Sequence, residues 1–358
     1  MTTHLQTNRK SKGFSLIEIM VGMIIGLLGI LVIMQVYATS EARKKTTTSG
    51  GDAQTNGAIG LFNLQREVQL AGYGVSSTEL LGCNVQLRGG VSLSDIAPVT
   101  INHASIPSGD ANTDTLLIVY GNANGAAEGD TITQNTIGTI YTVQSPDSFV
   151  QSDYVIAQFQ SRASPCTLTL DLVTNDPITD RQVVVQNGAL VGRGLLFNLG
   201  QTPRIRAYVV RNGNLTVCEY TQYDCSDATK IGDGSVWVPI VNNIVSLRAE
   251  YGRDTNIGPM DGIVDTYDQT IATTSTTPAV SSVQCGWIRA SAIRLALVAR
   301  SGQKEASSAT TTAPTWAGNA DFPIDLSGDG DWEKYRYKKF ETTVPLKNIS
   351  WQKVVSGC

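Results

Sequence analysis

An α+β fold follows from three observations: an apolar run near the N-terminus, an amphipathic run behind it, and a succession of short β-prone segments separated by Gly, Asn, Asp and Pro turns. Together they predict a long N-terminal helix, half membrane-spanning and half amphipathic, packed on an antiparallel β-rich globular domain. With 358 residues, 41% of them hydrophobic, the chain has enough apolar surface for a real core. The charged fraction is only 16%, while Thr, Ser, Asn, Gln and 34 glycines are abundant, a balance common in exported β-rich proteins. A net charge of −4 leaves no broad basic surface to neutralise phosphates, so nucleic acid is not expected as a partner.

The apolar run extends from Phe14 to Tyr37 with one carboxylate, Glu18, inside it. At about 1.5 Å rise per residue it is long enough to cross a hydrocarbon core of about 30 Å. Arg9, Lys10 and Lys12 precede it and stay cytoplasmic by the positive-inside rule, which sends the C-terminal bulk across the membrane; Arg43, Lys44 and Lys45 follow, so the bias is not one-sided. The run exceeds a signal-peptide core and lacks a small-x-small site at its far end, which disfavours ordinary signal-peptidase removal. Gly22 and Gly26 have the small-residue spacing of close helix contacts, although glycine is also common in membrane helices. Beyond Tyr37, Ile59, Phe62, Leu64, Val68 and Leu70 recur at helical spacing and read as one stripe facing the globular domain. Gly50, Gly51 and Gly57 mark a soft point, and "AGYG" at 71–74 supplies the stop.

From residue 75 onward "TLLIVYG", "DYVIAQF", "RQVVVQ", "IRAYVVR", "NIVSLRAEYG", "IRASAIRLALVARS" and "YRYKKFETTVPL" read as strands of one elaborated domain, and 302–320 as an exposed loop. Six cysteines without a C-x-x-C pair, in a chain whose N-terminus exports the rest, point to disulfides. "CEYTQYDC" is suited to a closed short hairpin, which pairs Cys218 with Cys225. Cys83 with Cys166 and Cys285 with Cys358 is the further pairing expected, among others that the sequence leaves open.

The stretch "KGFSLIEIMVGMIIG" resembles the leader and N-terminal helix of type IV prepilins: a short basic leader, a glycine before the apolar run, Phe first in that run, and Glu at the fifth position after the glycine. The resemblance implies cleavage between Gly13 and Phe14 by a prepilin peptidase on the cytoplasmic side, and methylation of the new terminus. It divides the chain into a leader at 1–13, a transmembrane and assembly half of the helix at 14–37, an amphipathic half at 38–74 and an extracytoplasmic β-rich domain at 75–358. It also gives Glu18 a partner, the N-terminal amine of a neighbouring subunit, which offsets a burial cost of about 2.5–3.5 kcal/mol. Phe14 and Glu18 stand one turn apart, so an internal pair is open too.

"NGAIGLFNLQREVQLAGYG", "AIRLALVARSG" and "YRYKKFETTVPLKNISW" resemble PilW-type minor pilins. That implies a subunit of a priming and tip complex that starts pilus assembly and supports twitching motility, adhesion or DNA uptake. Its partners would be other minor pilins, the major pilin, transiently the prepilin peptidase, and a PilY-family tip adhesin. Its location would be the inner membrane as a single pass with a periplasmic domain, then the pilus tip. A minor pseudopilin of a type II secretion system shares the leader and helix, and a membrane-anchored periplasmic binding protein is the rival of another class.

Little in the chain resembles an enzyme. Only His4 and His103 occur, and no nucleophile-elbow, H-E-x-x-H, P-loop or G-x-G-x-x-G context is present. The one cofactor considered is calcium. "DLSGDGDWE" places Asp325, Ser327, Asp329, Asp331 and Glu333 at alternate positions around Gly330, but Arg336 stands where a calcium loop needs its final glutamate. Asp254, Asn256, Asp261 and Asp265 resemble a D-x-N-x-D-G-x-x-D loop of PilW-type proteins, with four residues rather than one between Asn256 and Asp261. Asp and Gly also dominate ordinary turns.

Overall fold

The computed structural model describes residues 13–123, 125–256, 259–276, 279–350 and 358. Residues 1–12, which hold most of the expected leader together with Arg9, Lys10 and Lys12, lie outside the described residues, as does Trp351. A single helix, α1, runs Leu16–Leu70. It ends where the sequence placed its stop: Gly72 takes a left-handed φ of +83° and its N–H donates to the Val119 carbonyl at 2.8 Å, an arrangement that glycine adopts without the Cβ penalty. The chain divides into two compact units, residues 1–51 and 52–358.

In the first unit the large apolar side chains from Phe14 to Tyr37 are all exposed, and the most apolar window has a mean hydropathy of 2.8 with nothing buried. A helix apolar on every face and exposed among the described residues is built for a solvent of lipid or of other helices.

The second unit is organised on the remaining part of α1. Ala53, Leu64 and Val68, with Ala71 just beyond the helix, enter a core with Ile118, Tyr208, Leu247, Leu295, Leu297 and Val344. The five-residue stripe read from sequence is thereby split. Leu64 and Val68 are fully buried, whereas Ile59, Phe62 and Leu70 are exposed. The reason is angular: two residues on, from Phe62 to Leu64, is about 200° round the helix, so one face cannot hold both. Gly57 is a contact point rather than a soft one, since a Cβ there would stand 2.1 Å from the Phe340 ring. The absent side chain lets strand and helix approach.

Three sheets complete the unit. An eight-stranded sheet runs in the order Ser92–Leu93, Asn84–Gln86, Thr167–Leu172, Tyr154–Phe159, Gly194–Gly200, Asp130–Ile137, Ile140–Val143, Val183–Val184. A five-stranded sheet orders Val238–Asn242, Asn214–Glu219, Arg204–Arg211, Leu116–Tyr120, Val99–Ile101, and a four-stranded sheet orders Thr266–Asp268, Ile244–Arg253, Ala290–Arg300, Tyr337–Pro345. The described pairings are antiparallel except that Asn84–Gln86 pairs in parallel with Thr167–Leu172. In Ala290–Arg300 the pleat sends Leu295, Leu297 and Ala299 toward α1's core and Ala296 and Val298 to the opposite face. Residues 302–320 form no regular element, but they are not simply exposed: Trp316 is buried with Ile324 and Leu326 on that second face.

Candidate assembly site and acidic loops

At the N-terminus Gly13, Phe14 and Ser15 precede the first helical residue, Leu16, and all three are exposed. The Ser15 backbone N–H donates to Glu18 Oε2 at 3.1 Å, and the Ile19 N–H donates to the Ser15 carbonyl at 3.2 Å. Ser15 is thus the N-cap, and Glu18, at the third helical position, reaches back to it. "SLIE" is the S-x-x-E pattern of a capping box, of which this hydrogen bond is one half. The signal was in the sequence and is independent of the spacing from Phe14. A carboxylate in the first turn also meets the positive end of the helix dipole, worth about 0.3–1 kcal/mol at an exposed site. One carboxylate oxygen, Oε2, therefore caps the helix that carries it.

A second polar cluster fastens α1 to the five-stranded sheet. Glu67 accepts from Arg206 Nη1 at 3.0 Å and from the Tyr120 hydroxyl at 3.0 Å, and Arg206 Nε donates to Glu219 Oε2 at 3.0 Å. The Tyr120 hydroxyl is pushed up to about 12, first by burial and then by the Glu67 charge it donates to.

The two acidic loops are tied down by the chain itself. Asp254, with a fully buried side chain, accepts from the N–H groups of Asn256, Asp261 and Gly262 at 3.1, 2.7 and 2.8 Å, and faces Arg289. Asp265 accepts from Thr255 N–H at 2.8 Å and Asp261 from Ile263 N–H at 2.8 Å. In the other loop Asp325 accepts from Ser327 N–H and Asn112, Asp329 pairs with Arg300 at 2.8 Å, and Asp331 is held between Lys304 and Lys334. Glu333 meets the Ser308 hydroxyl at 3.5 Å. Among the described residues no three Asp, Glu, His or Cys side chains converge as a metal ligand set. Many of their oxygens accept from backbone N–H groups, from Asn112 or from Arg and Lys, while others, such as Asp261 Oδ2 and Asp265 Oδ1, accept no hydrogen bond among the described residues.

Cys83 is bonded to Cys166, Cys218 to Cys225 and Cys285 to Cys358. His103 is a packed residue: its Nδ1 accepts from Ser105 N–H at 3.1 Å, which places the ring proton on Nε2, 2.9 Å from the Ser94 carbonyl. The described tryptophans are partners of the fold. Trp237 lies under Arg211 at 3.9 Å and Trp287 meets Tyr251 edge-to-face at 6.0 Å.

An exposed apolar helix opened by Phe and a capping Glu, in a chain whose later residues form a β-rich unit, is the arrangement that the comparisons with known families can test. Residues 8–34 match the family model of the prokaryotic N-terminal methylation motif. Residues 207–348 match that of Type IV Pilus-assembly protein W, a span running from the strand Arg204–Arg211 through the four-stranded sheet. No curated protein and no solved structure matches the chain. The two matches are consistent with a PilW-type, type IV prepilin-like protein and support a pilus-related minor pilin, from a family of structural pilus components and not of enzymes; the N-terminal apolar helix and the prepilin motif suggest a membrane-anchored pilin.

Proposed function

We propose that this chain is a minor pilin of the complex that primes pilus assembly and stays at the tip. Prepilin peptidase cuts between Gly13 and Phe14 on the cytoplasmic side, and the new Phe14 terminus is methylated. The helix crosses the inner membrane once, with the β-rich unit in the periplasm. Glu18 then offers its free oxygen to the Phe14 amine of a neighbouring pilin as the helix leaves the bilayer, so that two charges costly in lipid neutralise each other. The observation that carries the reading is the pairing of this prepilin end with a bulky three-sheet unit, which suits a filament's end better than a repeat along a thin shaft. Other minor pilins, the major pilin and a PilY-family adhesin are the partners this position provides.

The test has two parts. Mass spectrometry of the chain from cells should find it starting at Phe14 and carrying one methyl group; residues 1–13 still present would overturn the processing. Deletion should abolish or sharply reduce surface pili, restored by the intact chain. Loss of enzyme secretion with normal pili would assign it to a type II secretion system instead.

A further inference from the structure

A polar cleft of about 420 Å3 opens where the strand Gly194–Gly200 ends beside Asn122, whose N–H donates to the Leu199 carbonyl at 2.8 Å. Its size falls in the range usual for small-molecule sites, about 300–1,000 Å3. Asn122, Asp147, Ser148, Asp153, Asn198 and Gln201 line it, all outside the spans 8–34 and 207–348 that match the two family models. Two of these polar side chains are buried at its base: Asp153 is 4% exposed and Asn198 8%. Asp153 Oδ2 accepts from the Val150 N–H at 2.9 Å and from Asn198 Nδ2 at 2.7 Å, while Oδ1 accepts no hydrogen bond and meets no cation among the described residues. Asn198 is fixed in turn, since Nδ2 also donates to the Ser148 carbonyl and Oδ1 accepts from the Gly200 N–H, both at 2.8 Å. Donors stand opposite. Asn122 Oδ1 accepts from the Thr202 N–H at 3.0 Å, which leaves its amide N–H groups unused, and the Ser148 hydroxyl makes no hydrogen bond among the described residues. Asp147 is already paired with Arg181 at 2.5 Å.

We infer that this cleft binds a hexopyranose unit of a saccharide, one hydroxyl donating to Asp153 Oδ1 and its neighbours accepting from the Asn122 amide and the Ser148 hydroxyl. The hydrogen-bond inventory selects the occupant. A hydroxyl is one donor and two lone pairs, so adjacent hydroxyls on one ring meet a buried acceptor and the facing donors together. An anion would meet the Asp153 charge at the base of the cleft. A calcium ion takes about six to eight oxygens, commonly with several carboxylates, and no three Asp, Glu, His or Cys side chains converge among the described residues. An apolar ligand would strip water from Asp153 and return no hydrogen bond, which is costly for a buried charge. The base is also preorganised, because Asp153 and Asn198 hold each other in place before any ligand arrives. The inference goes beyond the pilin reading and stands on residues that reading does not use.

The test is saturation-transfer NMR on the purified full chain in a detergent without sugar headgroups. The probes are the methyl pyranosides of glucose, galactose, mannose and N-acetylglucosamine, with triglycine as the peptide comparison. At least one pyranoside should give a signal that persists in a calcium chelator. Ser148→Ala removes a hydroxyl that holds nothing in the fold, so it should leave the melting temperature unchanged and weaken binding at least about tenfold, the factor carried by about 1.4 kcal/mol. Asp153→Asn, which replaces the acceptor Oδ1 or the partner of Asn198, should abolish the signal; if that variant does not fold, Ser148→Ala decides alone. Four outcomes overturn the site: no signal from any of the pyranosides, a signal that Ser148→Ala leaves unchanged, a signal lost with the chelator, or triglycine bound as tightly and released by Ser148→Ala.

Discussion

Two stretches of α1 make opposite use of the same secondary structure. From Phe14 to Tyr37 apolar side chains cover every face and none is buried by the chain, so the structure of that stretch is completed by whatever surrounds it. From 52 to 70 the faces differ: one enters the core, another carries charges and two isolated large apolar side chains. A helix apolar all round needs an environment, and a helix with one buried face has already found most of its own. The contrast shows where mutations should affect assembly without affecting stability, and where they should do the reverse.

The largest effect expected on assembly is from Glu18→Ala. It removes the capping carboxylate and the partner for an incoming amine, so cleavage should persist while incorporation into pili falls about tenfold or more, a loss corresponding to at least ~1.4 kcal/mol. Normal piliation with the variant as sole copy would remove the subunit-entry role. Within the second stretch the two faces are separated by neighbouring residues. Leu64→Ala should destabilise the unit by about 2–5 kcal/mol, and Phe62→Ala by less than about 0.5 kcal/mol. Denaturation of the full chain in detergent measures both, and equal losses would erase the distinction between faces. Gly57→Ala places a methyl against the Phe340 ring and should cost about 1–3 kcal/mol by overpacking, with Phe340→Leu in the same chain recovering part of it.

The smallest effect is a pH dependence at the Glu67 cluster. Tyr120 is held above the ordinary tyrosine value near 10, at about 12, so its neutral form is the one the fold prefers. Its contribution is fully present below pH 10 and fades as pH rises from about 10 to about 12, because ionised Tyr120 would face the Glu67 charge without a proton to donate. Tyr120→Phe should flatten the loss of stability across that window. An unchanged slope would mean that the hydroxyl does not couple α1 to the sheet.

Several elements were legible because their signals are local. The prepilin motif, the stop at Gly72 and the strands Leu116–Tyr120, Arg204–Arg211 and Ala290–Arg300 each announce themselves within a few residues. The hairpin joining Arg204–Arg211 to Asn214–Glu219 was equally readable: Asn212-Gly213 both take positive φ, as a tight two-residue hairpin turn requires. Asp130–Ile137 escaped notice because its polar alternation reads as loop until the sheet pairs it on both sides. The acidic loops show the reverse case, since ligand-type spacing says nothing of which donors the rest of the chain will bring to those oxygens.

By itself, the sequence determined the membrane-length helix, its processing motif, the β-rich character of the chain beyond residue 75 and the cap written in "SLIE", since each depends on residues within one or two turns of one another. The tertiary structure alone decided which side of α1 is covered, why residue 57 must lack a side chain, that Trp316 folds the 302–320 segment over a sheet, and that Asp254 is bound by Arg289 and three amides. These depend on residues brought together from distant parts of the chain, and periodicity within one segment carries no record of its partners.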